Sequence, residues 1–435
     1  MNNTATVMLW GTTVGYFHLE EGAKYVSFEY NKDFVRMGIE ISPLMMPLSN
    51  RVYEFPELAV PAFKGVPGLL ADSLPDKFGN AVIDQWLAAK GRTPESFNVV
   101  ERLCYTGKRG MGALEYKPAM SLHGGSNDKI DIAGLVGFAS SVLEDRENIH
   151  LSVQDDMTYN QLLQLGTSAG GARAKAVIAY NEKTGDIRSG QIDLDQGYDF
   201  WLIKFDGVAK NGDHNLEDVL EYTLIEYAYY KMALKAGIVM SECTLLEEGG
   251  RKHFMTKRFD RVNGKKLHMQ SLGAISHIDY NEPGLCSYEM AALTARRLGL
   301  PSSDIEQFYR RMIFNVLAVN QDDHVKNISF LMDRNGIWTL SPAYDVTFAC
   351  DSGNKWLQAH QMTINGKKSN ILMNDMIACG QNMDIKTFKC KKIIEEVKDS
   401  VKEWQTIAHS VEIREKTINL INKEIESNSA LRAFG

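Results

Sequence analysis

The first 60 residues alternate short apolar runs with turn-forming residues, a pattern typical of β-strands. The runs at Val7–Gly11 and Tyr25–Tyr30 are rich in β-branched and aromatic side chains. Glycine and proline then interrupt Phe63–Asp76, which predicts a loop. Beyond this loop, apolar side chains share one face of a predicted helix at Val82, Ile83, Trp86 and Leu87. The chain is therefore expected to begin with a β-rich unit and one packed helix.

A second strand-rich region extends over residues 165–260 and is interrupted by a long predicted helix at 216–236. Its apolar runs include Ala176–Tyr180 and Asp199–Phe205, and Lys183–Asp186 has the composition of a tight turn. From about residue 281 onward the apolar period is mainly helical. One late helical stripe is predicted to pack in a core, at Ile393, Ile394, Val397, Val401 and Trp404.

These patterns predict an α+β protein in three segments, with a junction near the glycine- and serine-rich residues 124–128. The segments are a β-rich N-terminal subdomain at 1–125, a small lobe at 126–262, and an all-helical C-terminal lobe at 263–435. A β-rich lobe followed by a helical lobe is the architecture of a two-lobed protein kinase. A nucleotide can lie in the crevice between such lobes.

Composition limits the classes of function. The 435 residues are too many for one ordinary core, and the net charge of −7 argues against a broad nucleic-acid binder. The six cysteines form no C-x-x-C pair, so no zinc or redox motif is present. The sequence shows neither a signal-peptide pattern nor a run of roughly 18 to 20 apolar residues. We expect a soluble, cytoplasmic protein with no membrane partner.

Catalytic chemistry is indicated by the spacing of Asp322 and Asn327, which are five residues apart. Protein kinases place a catalytic aspartate and a magnesium-binding asparagine at this spacing in the loop H-R-D-x-x-x-x-N. The aspartate accepts the proton of the attacking hydroxyl, and the asparagine amide oxygen holds a magnesium ion on the phosphates. A single short loop then fixes both groups at the distance that phosphoryl transfer requires.

The residues after this loop predict a β-hairpin. Ile328–Met332 and Ile337–Leu340 read as strands, and Asp333–Gly336 between them is a strong turn sequence. Because a hairpin brings its two open ends together, Asp345 should return to the catalytic loop as a second magnesium ligand. The alternative is that these aspartates and Asn327 are ordinary loop caps. Their combination with a hairpin favours the kinase interpretation.

Phosphate-binding elements are less specific. The small residues of Gly166–Lys175 can let backbone N–H groups approach phosphates, or they can be a flexible hairpin connection. Lys204 ends an apolar strand and can hold the α- and β-phosphates, or it can be an exposed strand lysine. On the helix at 216–236, either Glu221 or Glu226 could pair with it, and Glu226 is weakly favoured.

The strand Phe254–Arg261 leads from the predicted small lobe toward the helical lobe. This is the place for a hinge that contacts adenine through backbone groups. Its charged residues Arg258 and Asp260 are alternatively structural charges at the lobe boundary.

Five segments, in this order, resemble the HipA family of serine/threonine kinase toxins from bacterial type II toxin–antitoxin systems. They are Phe63–Asp76, Ser168–Lys175, Lys257–Arg261, Asp322–Asn327 and Pro342–Asp345. The resemblance spans almost the whole chain. It implies a two-lobed protein-kinase-like fold of the HipA type, with ATP as the phosphoryl donor and Mg²⁺ as the cofactor.

The resemblance implies roles at the matching positions. Asp322 would be the catalytic proton acceptor, and Asn327 and Asp345 would bind magnesium. Ser168 would be the autophosphorylated serine whose phosphate silences the kinase. The nucleotide site would be lined by Gly170, Gly171, Ala172, Arg173, Ala174, Lys175, Lys204, Lys257, Arg258, Phe259, His324, Lys326, Asn327, Tyr344 and Asp345. The chain departs from its relatives at 172–175, which read Ala-Arg-Ala-Lys instead of Ala-Gln-Glu-Lys, and at Lys257, where some relatives carry glutamate. Contacts to the nucleotide should therefore differ in detail.

The resemblance also implies a partner and a substrate. Members of the family pair with a small HipB-like helix-turn-helix antitoxin, so contacts of this acidic chain with DNA would be mainly indirect. They phosphorylate an aminoacyl-tRNA synthetase and thereby block translation. Two other functions stay open from the sequence. One is a catalytically weak pseudokinase that acts as co-regulator with a DNA-binding antitoxin, and the other is a small-molecule kinase of related fold.

Overall fold

The computed structural model describes residues 2–119, 132, 134–136, 139, 174–190, 197–208 and 221–432. The predicted site residues Ser168 and Gly170–Arg173 lie outside these ranges. In chain order the strands are β1 (Thr4–Leu9), β2 (Thr12–His18), β3 (Ser27–Tyr30), β4 (Val52–Tyr53), β5 (Leu114–Lys117), β6 (Lys175–Asn181), β7 (Asp186–Ser189), β8 (Asp199–Lys204), β9 (Cys243–Glu248), β10 (Arg251–Lys257), β11 (Arg261–Val262), β12 (Lys265–Lys266), β13 (His268–Ser271), β14 (Ser329–Met332) and β15 (Trp338–Leu340).

The helices are α1 (Lys32–Met37), α2 (Val60–Phe63), α3 (Gly68–Ala71), α4 (Lys77–Ala89), α5 (Val99–Thr106), α6 (Tyr222–Lys235), α7 (Leu272–Ser276), α8 (Tyr288–Arg297), α9 (Ser302–Leu317), α10 (Met373–Asn382), α11 (Thr387–Val401), α12 (Trp404–Ser410), α13 (Glu415–Ser427) and α14 (Ser429–Arg432). Among the helices that the structure describes, none has both the length and the apolar character needed to cross a membrane.

The chain divides into two compact units. The first comprises Met1–Leu220, Thr244–Gln270 and Asp333–Gly336, and the second comprises Glu221–Cys243, Ser271–Met332 and Ile337–Gly435. Helix α6 therefore belongs to the second unit, although its sequence position lies inside the predicted segment 126–262.

The first unit begins with an antiparallel sheet in the order β4-β3-β2-β1-β5. The apolar runs at Val7–Gly11 and Tyr25–Tyr30 supply β1 and β3, so the strand prediction is confirmed here. A tight turn joins β1 to β2, and its residues Trp10 and Gly11 have φ angles of 50° and 87°. Glycine tolerates this left-handed conformation because it has no Cβ.

A second antiparallel sheet of the first unit has the order β7-β6-β8-β10-β9. Helix α4 packs its apolar face into the core of this sheet. Val82, Ile83 and Leu87 are buried, and Trp86 is 9% exposed, as the helical period predicts. The carboxylate of Asp76 caps the start of the helix by accepting a hydrogen bond of 2.7 Å from Gly79 N.

The structure of Phe63–Asp76 differs from the predicted loop in one respect. Within Phe63–Asp76, residues Gly68–Ala71 form the short helix α3, and all four residues are buried. Glycine and proline correctly mark the turns, but burial of Leu69 and Leu70 favours a helical turn between them. Local composition does not report that tertiary contact.

The second unit is mainly helical. Helix α9 packs against α11, and α6 packs against α11 and α12. The predicted late stripe is buried as expected, with the indole N–H of Trp404 donating a hydrogen bond of 3.2 Å to Ile418 O. Strands β14 and β15 form the predicted antiparallel hairpin, in which Phe330 pairs with Leu340 and Met332 with Trp338.

The buried histidine His268 gives the first unit a predictable acid sensitivity. Its ring is fully buried, its Nε2 lies 3.0 Å from Ile41 O, and burial lowers its pKa to about 4. In the unfolded chain the pKa is about 6.5, so the unfolded state takes up the proton first as the pH falls. We expect His268 to lower the free energy of unfolding by roughly 2 kcal/mol between pH 7 and pH 5.

Urea unfolding at pH 7 and pH 5 measures this effect. His268→Gln keeps a side-chain donor and does not titrate, so the variant should lose that part of the pH dependence. The exposed His409 of α12 provides a control, and His409→Gln should behave as wild type. An unchanged pH dependence in His268→Gln would contradict the prediction.

Candidate active site

The predicted catalytic loop begins where α9 ends. Val319 follows the helix with a φ of 56°, an unusual conformation for a β-branched residue. The main chain is held on both sides of it. Tyr229 Oη donates a hydrogen bond of 2.6 Å to Ala318 O, and Asn320 N donates one of 2.9 Å to Asn315 O. Strained residues that persist in this way are frequent at functional sites.

Asp322 and Asn327, the pair predicted from spacing, close the loop on itself. The side-chain Nδ2 of Asn327 donates a hydrogen bond of 2.9 Å to the main-chain oxygen of Asp322. Asn327 N also donates to His324 O at 2.9 Å. The carboxylate of Asp322 is 45% exposed, and its Oδ1 lies 3.8 Å from His324 Nε2. The loop is therefore fixed by its backbone, while the Asp322 carboxylate faces outward.

The hairpin returns Tyr344 and Asp345 to this loop. Tyr344 Oη donates a hydrogen bond of 2.7 Å to Lys326 O and lies 2.5 Å from Ser329 Oγ. Like Val319, Asp345 is a non-glycine residue in the left-handed region, with a φ of 51°. A cavity of the second unit is lined in common by Asp322, Asn327, Tyr344 and Asp345. The structure thus brings together the residues that the hairpin argument predicted to meet.

Lys326 and His324 occupy the outer part of the loop. His324 Nδ1 accepts a hydrogen bond of 3.3 Å from Lys326 N, and its ring centroid lies 6.2 Å from that of Tyr280. Lys326 Nζ lies 4.8 Å from the centroid of the same Tyr280 ring, within cation–π range. Tyr280 is a neighbour that the sequence patterns did not identify.

A buried arginine also lines the cavity. Arg311 of α9 is 8% exposed, and its Nη2 donates a hydrogen bond of 2.5 Å to Ser341 O. Burial lowers its pKa to about 10, so the guanidinium stays charged at neutral pH. A positive charge beside a cavity lined by Asp322, Asp323 and Asp345 offsets part of their negative charge. The sequence did not identify Arg311, because a single arginine within a predicted helix is not distinctive.

A magnesium ion fits the chemistry of these residues. Carboxylate and amide oxygens are hard ligands, and Mg²⁺ usually binds through one or two carboxylates together with phosphate oxygens. Within the described residues, the Oδ1 of Asn327 accepts no hydrogen bond, because the amide turns its nitrogen to Asp322 O. Those residues contain no cluster of three or more His, Cys, Asp or Glu side chains that could hold a metal ion. Binding of Mg²⁺ by Asn327 and Asp345 stays a prediction.

In the first unit, the predicted phosphate lysines have different surroundings. Lys204 ends β8, is half-buried, and its Nζ lies 5.8 Å from the centroid of the Phe254 ring. Lys175 lies opposite Lys204 on β6 and is buried. Its Nζ lies 3.3 Å from a carboxylate oxygen of Asp76, which is equally buried. The role of Lys175 at a nucleotide stays a prediction, and the structure adds a buried ion pair with the cap of α4.

The predicted hinge carries a buried charge cluster. Arg258 donates hydrogen bonds of 2.9 and 2.7 Å to the two carboxylate oxygens of Asp260 and one of 3.1 Å to Gly110 O. Arg261 donates to the same carboxylate at 2.7 Å, as Gly112 N does at 2.6 Å. Burial by itself would raise the pKa of Asp260, but the two guanidiniums hold it well below its usual range.

This geometry favours the structural alternative for the side chains of Arg258 and Asp260. Arg258 N donates to Phe200 O at 2.8 Å. The neighbouring Lys257 pairs with Asp199 at 2.6 Å, and Phe259 is half-buried. Contacts of Lys257, Arg258 and Phe259 with a nucleotide stay predictions.

The two glutamates proposed as partners of Lys204 are also distinguished. Glu221 has a φ of 120°, and its carboxylate accepts hydrogen bonds of 2.8 Å from Arg414 N and from Thr417 Oγ1. It thereby anchors the start of α6 to the start of α13. Glu226 is buried one turn further along α6. The carboxylate of Glu221 therefore has a structural role within the second unit, and a pairing of either glutamate with Lys204 stays a prediction.

The aspartate next to the predicted catalytic residue is the main feature that the sequence patterns did not explain. Asp323 is 3% exposed, and its carboxylate accepts hydrogen bonds from Tyr288 Oη, His360 Nδ1 and Gln361 N. In the sequence it is indistinguishable from a loop cap. A paired buried carboxylate needs partners, but nothing in the sequence indicates which distant residues provide them.

Two families match the chain. The family described as the HipA N-terminal domain matches residues 5–117, and the family described as the HipA-like C-terminal domain matches residues 167–405. The two matched regions follow each other along the chain and together contain the five segments that resemble the HipA family.

Two curated proteins are similar over shorter stretches. A protein of Sinorhizobium fredii named "Putative kinase Y4dM" is 34% identical over 96 residues, which are 21% of this chain and 22% of that protein. A protein of Haemophilus influenzae named "Putative kinase" is 28% identical over 159 residues, which are 32% of this chain and 46% of that protein. The chain thus spans less than half the length of these relatives.

Among solved structures, HipA in the complex of Shewanella oneidensis HipA, HipB and operator DNA is similar in fold. The TM-score is 0.67 at 15% sequence identity, and the similarity covers 99% of this chain and 96% of the other. At this identity the similarity shows the fold. Since the match to the HipA-like C-terminal domain covers more than half of the residues, the chain belongs to the HipA family.

Proposed function

We propose that this chain is an ATP- and Mg²⁺-dependent serine/threonine-protein kinase that acts as the toxin of a bacterial toxin–antitoxin system. The observation that carries the proposal is the cavity lined by Asp322, Asn327 and Asp345. Spacing and hairpin topology predicted these three residues from kinase chemistry, and all three line this cavity. Family membership and the kinase names of two relatives support the same conclusion.

The reaction assigned to the site is in-line phosphoryl transfer. The hydroxyl oxygen of a substrate serine or threonine forms a bond to the γ-phosphorus of ATP, and the bond to the bridging oxygen of ADP breaks. A carboxylate oxygen of Asp322 accepts the hydroxyl proton. Because Asn327 is bonded to the backbone of Asp322, the proton acceptor and the metal-binding amide keep a fixed separation. Such fixed positioning is a large part of catalysis in phosphoryl transfer.

The remaining residues of the proposed site bind and neutralise the nucleotide. Asn327 Oδ1 and a carboxylate oxygen of Asp345 would hold Mg²⁺, which neutralises negative charge on the phosphates when bound. The half-buried Lys204 is proposed to contact the α- and β-phosphates through its ammonium group. Tyr344 holds the end of the loop through Lys326 O and thereby places Asp345.

A partner and a means of self-regulation complete the proposal. The Shewanella protein of similar fold is in complex with HipB and operator DNA, so we propose a HipB-like antitoxin that carries the DNA contacts for this chain. An aminoacyl-tRNA synthetase is proposed as the substrate, on the family resemblance. Autophosphorylation of Ser168 would add roughly two negative charges beside the phosphate-binding residues and oppose ATP binding.

Phosphopeptide mapping tests this function. The purified chain is incubated with Mg-ATP and then with a bacterial lysate, and phosphorylated peptides are identified by mass spectrometry. We expect phosphate on Ser168 and on one synthetase, and neither in a parallel Asp322→Asn sample. Labelling of small molecules without labelled protein would favour a small-molecule kinase. A folded chain that neither binds ATP nor labels any target would contradict the kinase proposal and favour the pseudokinase alternative.

A further inference from the structure

Two adjacent aspartates in the catalytic loop have opposite surroundings. The carboxylate of Asp322 is 45% exposed, whereas Asp323 is 3% exposed. Asp323 Oδ2 accepts hydrogen bonds from Tyr288 Oη at 2.8 Å and from His360 Nδ1 at 2.9 Å, and Oδ1 accepts one from Gln361 N at 2.7 Å. A carboxylate is buried at high cost unless it is fully hydrogen-bonded, and three donors meet that requirement here.

We propose that Asp323 is a positioning residue that fixes the carboxylate of Asp322 for proton transfer, with Tyr288 and His360 acting through it. The inference rests on the proposed kinase function. The loop from Asn320 to Asn327 is irregular backbone, and its described backbone–backbone hydrogen bonds are made by residues before and after the Asp322–Asp323 pair. Asp323 lies between them, next to the reacting group. Its three hydrogen bonds therefore restrain the part of the loop where a shift would displace Asp322 most.

The first support of Asp323 comes from the helices beneath the loop. Tyr288, on α8, accepts a hydrogen bond of 3.0 Å from Asn315 Nδ2 on α9. Asn315 Oδ1 in turn accepts one of 3.0 Å from Asn320 Nδ2 at the start of the loop. Burial, with the charge of Asp323, holds the pKa of Tyr288 well above its usual value, so its hydroxyl remains a donor. One chain of side chains thus ties the start and the middle of the loop to two helices.

The second support comes from the segment that follows Asp345 in the sequence. His360 and Gln361 both donate to Asp323, and their own backbone is held in place. His360 N donates to Lys368 O at 3.0 Å, and Gly284 N donates to Gln361 O at 2.8 Å. Asp323 therefore joins the catalytic loop to a second fixed segment of the same unit. Two independent supports define a position better than one, because each limits a different direction of movement.

A matched pair of tyrosines separates positioning from general stability. Tyr288 and Tyr309 are both fully buried, and Tyr309 Oη donates a hydrogen bond of 3.0 Å to Met376 O, away from the loop. Tyr288→Phe and Tyr309→Phe each remove one buried hydroxyl, with the two hydrogen bonds described above for Tyr288 and the bond to Met376 O for Tyr309. We expect Tyr288→Phe to lower kcat by about 10-fold, while the Kd for Mg-ADP stays within about 2-fold of wild type. Both variants should lower Tm, but Tyr309→Phe should keep the wild-type kcat.

The histidine provides a rescue experiment. Asparagine can place an amide nitrogen near the position of Nδ1, whereas leucine cannot donate a hydrogen bond. His360→Asn should therefore keep most of the wild-type kcat, and His360→Leu should lose about 10-fold. Asp323→Asn exchanges an acceptor for a donor against the same partners and should lower kcat about 100-fold.

The outcomes are distinct. Equal kcat values for Tyr288→Phe and Tyr309→Phe, or a wild-type kcat in folded Asp323→Asn, would overturn the positioning role while leaving the kinase proposal intact. A loss of kcat matched by an equal loss of Mg-ADP affinity would also overturn it, because that result indicates disruption of the whole site. A wild-type protein without phosphoryl transfer overturns the proposed function and the positioning role together.

Discussion

Replacing Asp322 with asparagine is expected to lower phosphoryl transfer by about three orders of magnitude, the range lost when a general base is removed. Asparagine has nearly the same shape but cannot accept the hydroxyl proton at neutral pH. The loop should keep its geometry, because Asn327 bonds the main-chain oxygen of residue 322 and not the side chain. The measurement is kcat for phosphorylation of the identified substrate, together with the Kd for Mg-ATP, which should change little.

Asp333→Asn is the matched control for this experiment. Asp333 lies in the hairpin turn, 11 residues further along the chain, where Asn335 N donates to its Oδ1 at 2.9 Å, a bond that asparagine can retain. The control removes the same charge and should leave kcat unchanged. A similar decrease in both variants would show that the loss of one negative charge, and not the loss of a proton acceptor at 322, lowers the rate.

Replacing Asp260 with asparagine is expected to cause the largest loss of stability, about 3–5 kcal/mol in the free energy of unfolding. Asp260 is fully buried and receives hydrogen bonds from Arg258, Arg261 and Gly112 N. Without its charge, two guanidiniums remain close together in a buried site. Burial already lowers the pKa of Arg261 to about 10, which shows how costly that environment is for a cation. Chemical denaturation measures the difference.

The lowered pKa of Asp260 determines how its contribution to the free energy of unfolding changes with pH. Its contribution to stability is fully present above the unfolded pKa of about 3.9 and is lost as the pH falls below that value. Asp399→Asn is the control, because Asp399 pairs with Lys402 at 2.9 Å on the surface and should leave the unfolding midpoint unchanged. If Asp260→Asn lowers the free energy of unfolding no more than Asp399→Asn does, water must solvate the two guanidinium groups in place of the carboxylate.

The two aspartate variants affect different properties for one physical reason. Asp322 is exposed and is held through its backbone, so its side chain contributes to chemistry and little to folding. Asp260 is buried and bonded through both carboxylate oxygens, so its side chain contributes to folding. Asp323 combines the two situations, since it is buried like Asp260 and adjacent to Asp322. We therefore expect Asp323→Asn to lower stability as well as kcat.

Local patterns predicted the regular elements well. Short apolar runs, rich in β-branched and aromatic side chains and bounded by turn residues, indicated β1, β3, β6 and β8, because such residues favour strands. The helical period indicated the buried face of α4 and the stripe of α11 and α12. The hairpin at β14 and β15 followed from its turn residues. These predictions depend on residues close in sequence, and for that reason sequence suffices for them.

The sequence also predicted part of the candidate site. The spacing of Asp322 and Asn327 and the hairpin before Asp345 predicted that these residues meet, since a loop and a hairpin have limited geometries. The resemblance across five ordered segments indicated the HipA family, to which the chain belongs. The placement of Ser168 and Gly170–Arg173 is a prediction from that resemblance, because these residues lie outside the described ranges.

Tertiary structure decided which charged side chains are available for chemistry. Tyr288 and His360 lie 35 and 37 residues from Asp323, and Gly110 lies 148 residues from Arg258. Lys175 likewise meets Asp76 across a long separation. A charge in a loop or strand looks the same in the sequence whether it faces solvent or a buried partner, because the desolvation cost and the compensating donors arise only on folding. The sequence therefore determined the family, the strands and the spacing of the predicted catalytic residues, while the fold determined that Asp322 is exposed and that Asp323, Asp260 and Lys175 are anchored.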